Sequence, residues 1–210
     1  VVLDLQGLLR TGLFSRWTGC PQRIGMADCR EFAGWFYTRK VPRPADSVHV
    51  LDYYFALLEE AGIPRPAAAD VSFNISDTAA SSARSKLAAA GITGAFLTLV
   101  PGSAHQSKCW PVERFAAVAE KAHAAYGLQV AAVGTAGEQP IVRRIQDCCR
   151  LPIADLSGQT GLEELIAVFQ QAAAVVANDT GPGYIAVETG TPSVLIFRNV
   201  NPRRLARRRR

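Results

Sequence analysis

Residues 95–133 read A-F-L-T-L-V-P-G-S-A-H-Q-S-K-C-W-P-V-E-R-F-A-A-V-A-E-K-A-H-A-A-Y-G-L-Q-V-A-A-V, and the periodicities in this stretch decide the fold class. Residues 95–100 form an apolar run, with Thr98 its one polar member, that ends at Pro101-Gly102, as expected of a strand buried on both faces. Over residues 111–126 the period becomes helical. Val112, Phe115, Val118, Ala119 and Ala122 share one stripe, Pro111 opens the segment and Gly127 stops it. A second apolar run at 128–133 follows directly, so strand, helix and strand form one repeating unit.

The same alternation continues outward. The sequence predicts a helix over 138–149, a short strand around 153–156 and a helix over 161–171. A strand at 174–177, a short helix from Pro182 and a strand at 193–197 complete the series. Short apolar strands alternating with helices imply an α/β fold with a doubly wound parallel sheet. Ligands of such sheets sit beyond the carboxyl ends of the strands, which directs attention to the loops after Val100, Val133, Leu156 and Ala177.

Those loops hold the polar residues. The first places Ser103, Ser107 and Lys108 just before the helix opened by Pro111. Free N–H groups and a partial positive charge at a helix start, joined by a hydroxyl and an ammonium, make an anion site; an ordinary capped helix with a surface lysine reads the same way. The loop after Ala177 is N-D-T-G-P-G, where Asp179, Thr180, Gly181 and Gly183 open another helix. Glycines there let backbone approach a phosphate closely, although Asp-Thr-Gly is also a plain N-cap. A third loop, with Gly134 and Glu138, faces the same edge.

Composition narrows the class. The chain has 210 residues and 49% hydrophobic content, sufficient for substantial cores. No apolar run approaches the roughly 20 residues of a membrane-spanning helix and no secretory signal opens the chain, so it reads as soluble and cytoplasmic. Cys20, Cys29, Cys109, Cys148 and Cys149 form no C-x-x-C pair and no metal-ligand spacing, which suits a reducing compartment. The net charge of +5 comes from the end of the chain: without the seven arginines between Arg198 and Arg210, residues 1–197 hold 16 basic against 18 acidic groups. No aromatic residues interleave with those arginines, so no nucleic-acid partner is expected. A solvated tail and peripheral association with an anionic membrane both remain open.

Several separated motifs together resemble glycosyltransferase family 9, the lipopolysaccharide heptosyltransferase family. They are P-G-S-x-x-x-x-K-x-W-P-x-E-x-F from Pro101, V-G-T-x-x-E from Val133, D-L-S-G-x-T-x-L-E-E-L from Asp155, N-D-T-G-P from Asn178 and G-T-P from Gly190. D-L-Q-G-L-L-R (4–10), R-I-G (23–25), A-D-C-R-E (27–31) and F-Y-T-R-K-V (36–41) are similar to the later part of that family's acceptor domain. The resemblance implies the GT-B architecture, two Rossmann-like doubly wound parallel-sheet domains, the first incomplete here. It divides the chain into a partial acceptor-side domain at 1–75, a linker and connecting helix at 76–94, and a nucleotide-sugar-binding domain at 95–210. The boundary is expected between Gly62 and Gly94, with I-P-R-P-A-A-A-D as linker and a surface helix over 76–90.

The function implied is inverting transfer of a sugar, heptose in the best-known members, from a nucleotide diphosphate donor to a lipopolysaccharide core or related glycan. By the same resemblance, Ser103 and Lys108 hold the donor phosphates and Asp179, Thr180, Gly181 and Tyr184 complete the pocket. Glu138 takes the ribose hydroxyls, and Thr160 to Leu162 border the base. ADP-heptose is the implied donor and a glycolipid or oligosaccharide the implied acceptor, at the inner face of the cytoplasmic membrane. Gln6, Arg10 and Arg39 are candidates to face an anionic acceptor. Lysine and helix dipoles can carry the phosphate charge, so no cofactor or obligatory metal is expected.

The chain also departs from the family. The family's first strand and the loop that carries its catalytic carboxylate would precede Val1, and Asp4 does not align with that base. Tyr184 stands where the family usually has a histidine, and F-R-N-V-N-P (197–202) replaces F-G-P-T-D-P. The chain alone is therefore expected to be inactive in transfer. A nucleotide-binding module without catalysis and a GT-B transferase of another sugar stay open as alternatives. An epimerase of this fold would need further acid/base carboxylates, and none is evident in these loops.

Overall fold

A computed structural model describes residues 1–45, 49–65, 72–198 and 201–202. The chain divides into two compact units, one built on Val1–Ala69 and the other on Asp70–Val200. Residues 66–70 of the expected linker, residue 71 after them, and 203–210 of the arginine tail lie outside the described residues.

The first unit runs β1 (Val2–Asp4), α1 (Leu9–Trp17), β2 (Arg23–Met26), β3 (Arg39–Val41) and α2 (Val50–Glu60). Its three strands pair in parallel in the order β1-β2-β3. Ile24, Val41, Tyr53 and Leu57 form its core. The turn after β1 is organised by Asp4, a buried carboxylate that accepts hydrogen bonds from the Gln6 and Gly7 amides and from the Tyr37 hydroxyl at 2.7 Å. Burial works to raise the Asp4 pKa, but these donors outweigh it and the group lies below its usual range. The Tyr37 ring fills the space above Gly25 that any Cβ would occupy, which explains why R-I-G carries a glycine inside a strand.

The second unit is the larger. It runs α3 (Asp77–Ala89), β4 (Phe96–Val100), α4 (Val112–Tyr126), β5 (Gln129–Ala132), α5 (Gln139–Cys148), β6 (Ile153–Asp155), α6 (Leu162–Gln171), β7 (Ala174–Asn178), α7 (Gly181–Glu188) and β8 (Ser193–Ile196). All five strands are parallel, in the order β6-β5-β4-β7-β8. Every residue of central β4 is buried, Thr98 included among its apolar neighbours. Phe96 and Val100 face a core shared with Leu87, Val168 and Phe169, whereas Leu97 and Leu99 face Phe115, Val142 and Ile145. Helices therefore cover both faces of the sheet, the doubly wound arrangement expected from the alternation.

The helix read from sequence as a connecting element is part of the second unit. Ala79, Ala83 and Leu87 of α3 are buried, and the helix packs along α6. Polar ties reinforce that contact. Lys86 Nζ and Ser82 Oγ both donate to Glu164 Oε1 at 2.6 Å, and Ser76 donates to Glu163 through its amide and its hydroxyl. The hydrogen bond from Lys86, followed by those from Ser82 and the Gly161 amide, lowers the Glu164 pKa to about 2. Among the described residues no helix is long and apolar enough to cross a membrane.

Candidate functional site

The strand order locates the site. From β4 the chain winds outward through β5 and β6, then returns to the other side of β4 with β7 and β8. The loops after β4 and β7 thus part in opposite directions and leave a crevice at the carboxyl edge, the switch point where open α/β sheets bind ligands. Lys108 comes from the first of these loops, and Asp179, Thr180, Gly181 and Tyr184 from the second.

The two loops meet through Asp179. Its Oδ2 accepts from Lys108 Nζ at 2.7 Å and its Oδ1 from the Tyr184 hydroxyl at 2.7 Å. Asp179 is 5% exposed, whereas the Lys108 side chain is 31% exposed and reaches solvent. Burial acts to raise the Asp179 pKa; the bonds from Lys108 and Tyr184 more than offset it, and the net shift is downward. Burial, and then the bond to Asp179, pushes the Tyr184 phenol upward, so it is a neutral donor at any physiological pH. The Tyr184 hydroxyl therefore ends on a carboxylate, a partner the sequence reading did not consider.

Asn178, the last residue of β7, fastens both ends of the 101–111 loop. It is fully buried, donating through Nδ2 to the Pro101 carbonyl at 2.6 Å and accepting at Oδ1 from the Trp110 amide at 3.0 Å. Arg198 Nη1 adds a bond to the Cys109 carbonyl at 2.6 Å. Lys108 sits on the 3-10 turn Gln106–Lys108 inside this pinned loop, with half-buried Ser103 earlier in it. Sequence reading placed no role on Asn178 or Arg198. A polar residue ending a buried strand was the signal for Asn178; Arg198 gave none.

The glycines divide by cause. A Cβ at Gly181, the first residue of α7, would meet nothing within 4 Å, so that helix start opens onto free space. A Cβ at Gly183 would come within 3.0 Å of Leu195, Ala177 and Asn178, so its glycine serves packing of α7 on the sheet and not ligand approach. On the other flank, a Cβ at Gly102 or at Gly134 would collide with the Glu138 carboxylate. Glu138 therefore lies over both loops, with Oε2 bonded to the Thr135 amide at 2.7 Å. The loop after β6 closes this side: the Gly158 amide bonds to the Gly134 carbonyl at 2.8 Å and Gln139 Nε2 to the Ser157 carbonyl. Beyond it Thr160 is half-buried and Leu162 is 64% exposed at the start of α6. Among the described residues no group of three or more His, Cys, Asp or Glu side chains is placed to hold a metal ion.

In the first unit a cavity of about 680 Å³ opens beyond the carboxyl ends of β1 and β2. Gln6 lines it with Asp28, Cys29, Arg30 and Arg43. Arg43 is paired with Asp28 at 3.0 Å and stacks over the Tyr53 ring. Arg10 is exposed on the first turn of α1, and Arg39 is paired with Glu60 at the amino end of β3. Of the three residues proposed from sequence, only Gln6 reaches the cavity; Arg30 and Arg43, not singled out, do. A smaller apolar cavity of about 320 Å³, lined by Ile92, His123, Leu128 and Pro152, lies at the amino edge of the larger sheet, away from these loops.

Fold and site together define a Rossmann-like unit in which a lysine and the start of α7 meet at the switch point, where open α/β sheets bind ligands. The chain belongs to glycosyltransferase family 9 (heptosyltransferase), whose profile matches residues 1–207. It is 27% identical over 214 residues to the lipopolysaccharide core heptosyltransferase OpsX of Haemophilus influenzae, covering 98% of this chain and 58% of that protein. It is 25% identical over 156 residues to lipopolysaccharide heptosyltransferase 3 of Escherichia coli, covering 73% of this chain and 45% of the relative. In fold it resembles the family 9 glycosyltransferase from Veillonella parvula, with a TM-score of 0.76 and 22% identity over 93% of this chain and 56% of that one. E. coli heptosyltransferase WaaC, solved with ADP, superposes with a TM-score of 0.69 and 20% identity over 97% of this chain and 64% of its own. The matches thus cover only 45–64% of these relatives' own lengths.

Proposed function

We propose that this chain contributes the donor-binding unit, and part of the acceptor side, of a heptosyltransferase that moves heptose with inversion from ADP-heptose to a lipopolysaccharide core or related glycan. The observation that carries the reading is the meeting of Lys108 with Asp179 and Tyr184 at the sheet's switch point, beside the open amino end of α7. A diphosphate there takes a hydrogen bond from Lys108 and from the Gly181 amide that opens α7, Pro182 having no N–H to offer, charge-assisted contacts of the strong kind. Those donors stabilise negative charge as it develops on the departing nucleotide diphosphate. Ser103 adds a hydroxyl, Glu138 accepts from the ribose, and Thr160 to Leu162 border the base. Membership of the family and the ADP bound in the WaaC structure favour adenine as that base. Gln6, with Arg30 and Arg43, faces the acceptor; a glycolipid acceptor would bring the enzyme to the inner face of the cytoplasmic membrane.

The test is calorimetric titration of the 210-residue chain with ADP and, in parallel, with UDP. Saturable ADP binding, tighter than UDP and weakened by Lys108→Ala, is the expected result. Absence of ADP binding at millimolar concentration would overturn the assignment of the pocket, and a preference for UDP would redirect it to another sugar nucleotide.

A further inference from the structure

Asp179 is an unexpected group to find at an anion site. It is 5% exposed, it is held ionised, and it lies against the one side chain offered as the phosphate-binding cation. Both of its oxygens are engaged, Oδ2 by Lys108 and Oδ1 by Tyr184. A carboxylate in this position opposes anion binding twice: its own charge repels the ligand, and it occupies a proton of the ammonium. The pairing also divides the carboxylate's charge between two donors, so the phenol weakens the grip of Asp179 on Lys108 without competing for the lysine.

We infer that Asp179 is a selectivity element that keeps Lys108 neutralised against simple anions. Inorganic phosphate and pyrophosphate bring only charge and cannot displace the ammonium from its partner with profit. A nucleoside diphosphate is anchored through its base and ribose as well, so its phosphates meet Lys108 at high effective concentration and draw it across. Tyr184 acts through Asp179 as a positioning residue. This inference rests on the reading of the crevice as a nucleoside diphosphate site. It differs in sign from a supporting role, in which loss of the carboxylate would weaken every ligand.

The experiment compares pyrophosphate and ADP binding by calorimetry in the wild-type chain and in Asp179→Asn, which keeps the shape and removes the charge. The wild type should prefer ADP to pyrophosphate by at least about tenfold, and Asp179→Asn should bind pyrophosphate about tenfold more tightly than the wild type, the scale of removing one like charge ~5 Å away in partly screened surroundings. The ratio of ADP to pyrophosphate affinity should narrow accordingly. Asp179→Ser, smaller and equally neutral, repeats the test if the asparagine variant does not fold, and a thermal melt establishes which variants are folded. Tyr184→Phe leaves the carboxylate to Lys108 alone and should lower pyrophosphate affinity about two- to threefold. Pyrophosphate binding that is unchanged or weaker in a folded neutral variant would overturn the inference while leaving the pocket assignment standing. A wild type that binds no ADP would remove the pocket assignment and this inference with it.

Discussion

Replacing Lys108 with alanine should produce two separable losses. In the liganded state it removes one charge-assisted hydrogen bond to phosphate, a contact worth about 1.5–3 kcal/mol, so the ADP dissociation constant should rise by roughly 10- to 150-fold. In the free state it strips Oδ2 of Asp179 of its donor, and that residue is only 5% exposed. A buried acceptor left with one of two partners costs about 1–3 kcal/mol of stability. The pH dependence identifies the cause. Contacts from Lys108 and Tyr184 hold the Asp179 pKa below its ordinary 3.8, and a depressed folded-state value adds stability that is present above 3.8 and lost as the pH falls further. The alanine variant has less of that stability to lose. Denaturant unfolding of wild type and variant should therefore differ most near pH 7 and converge as the pH falls below 3.8. A stability gap that stays constant from pH 7 to pH 3, or ADP affinity unchanged in a folded variant, would refute the placement of Lys108 between carboxylate and ligand.

Four other substitutions probe the frame around the site. Gly158 has φ +74° and its Cβ would stand 2.8 Å from that of Ala136, so Gly158→Ala should cost about 1–3 kcal/mol in a thermal melt, whereas Gly137→Ala, whose nearest neighbour would be 3.9 Å away, should be close to neutral. Asn178→Ala removes two hydrogen bonds from a fully buried side chain and should cost about 2–4 kcal/mol, with weaker ADP binding by calorimetry as the 101–111 loop loosens. Glu164 is ordinarily a group of pKa 4.5 and is held at about 2, so its contribution is complete above 4.5 and disappears as the pH falls toward 2. Glu164→Gln should flatten the acid limb of the stability curve by about 1 kcal/mol, a figure reduced for solvent screening of a partly exposed pair, and unchanged acid sensitivity would rule out the Lys86–Glu164 pair as its source.

The larger sheet was legible because its strands are short, apolar and separated by helices of clear period, from Phe96–Val100 to Ser193–Ile196. Beyond the largely apolar run V-V-L-D-L at residues 1–5, which holds β1, the smaller unit was legible as motifs and not as elements. Arg39–Val41 is a three-residue strand with two exposed basic residues, and no period can be read from three residues. Alternation also revealed which loops share the carboxyl edge, since every parallel strand points the same way. It did not reveal that β4 and β7 are neighbours, because strand order depends on where the crossover helices pack. The bond between Lys108 and Asp179, and the reach of Tyr184 to the same carboxylate, follow from that adjacency and were out of reach. Gly183 shows the same limit in miniature: a glycine in a phosphate-loop motif reads as a ligand feature, whereas here Leu195 and Ala177 require it.

The span of the Asn178 bonds has a consequence for biosynthesis. Its partners Pro101 and Trp110 lie 77 and 68 residues earlier in the chain. On a ribosome adding about 5–20 residues per second, the 101–111 loop therefore emerges roughly 4–15 s before the residue that secures it. During that interval the nascent chain has its lysine but not the glycine-led start of α7. On the proposed reading of the crevice, a nucleotide is first captured once β7 and α7 have left the exit tunnel and β7 has paired with β4, so ligand capture by stalled nascent chains should switch on across a narrow window of length beyond Glu188.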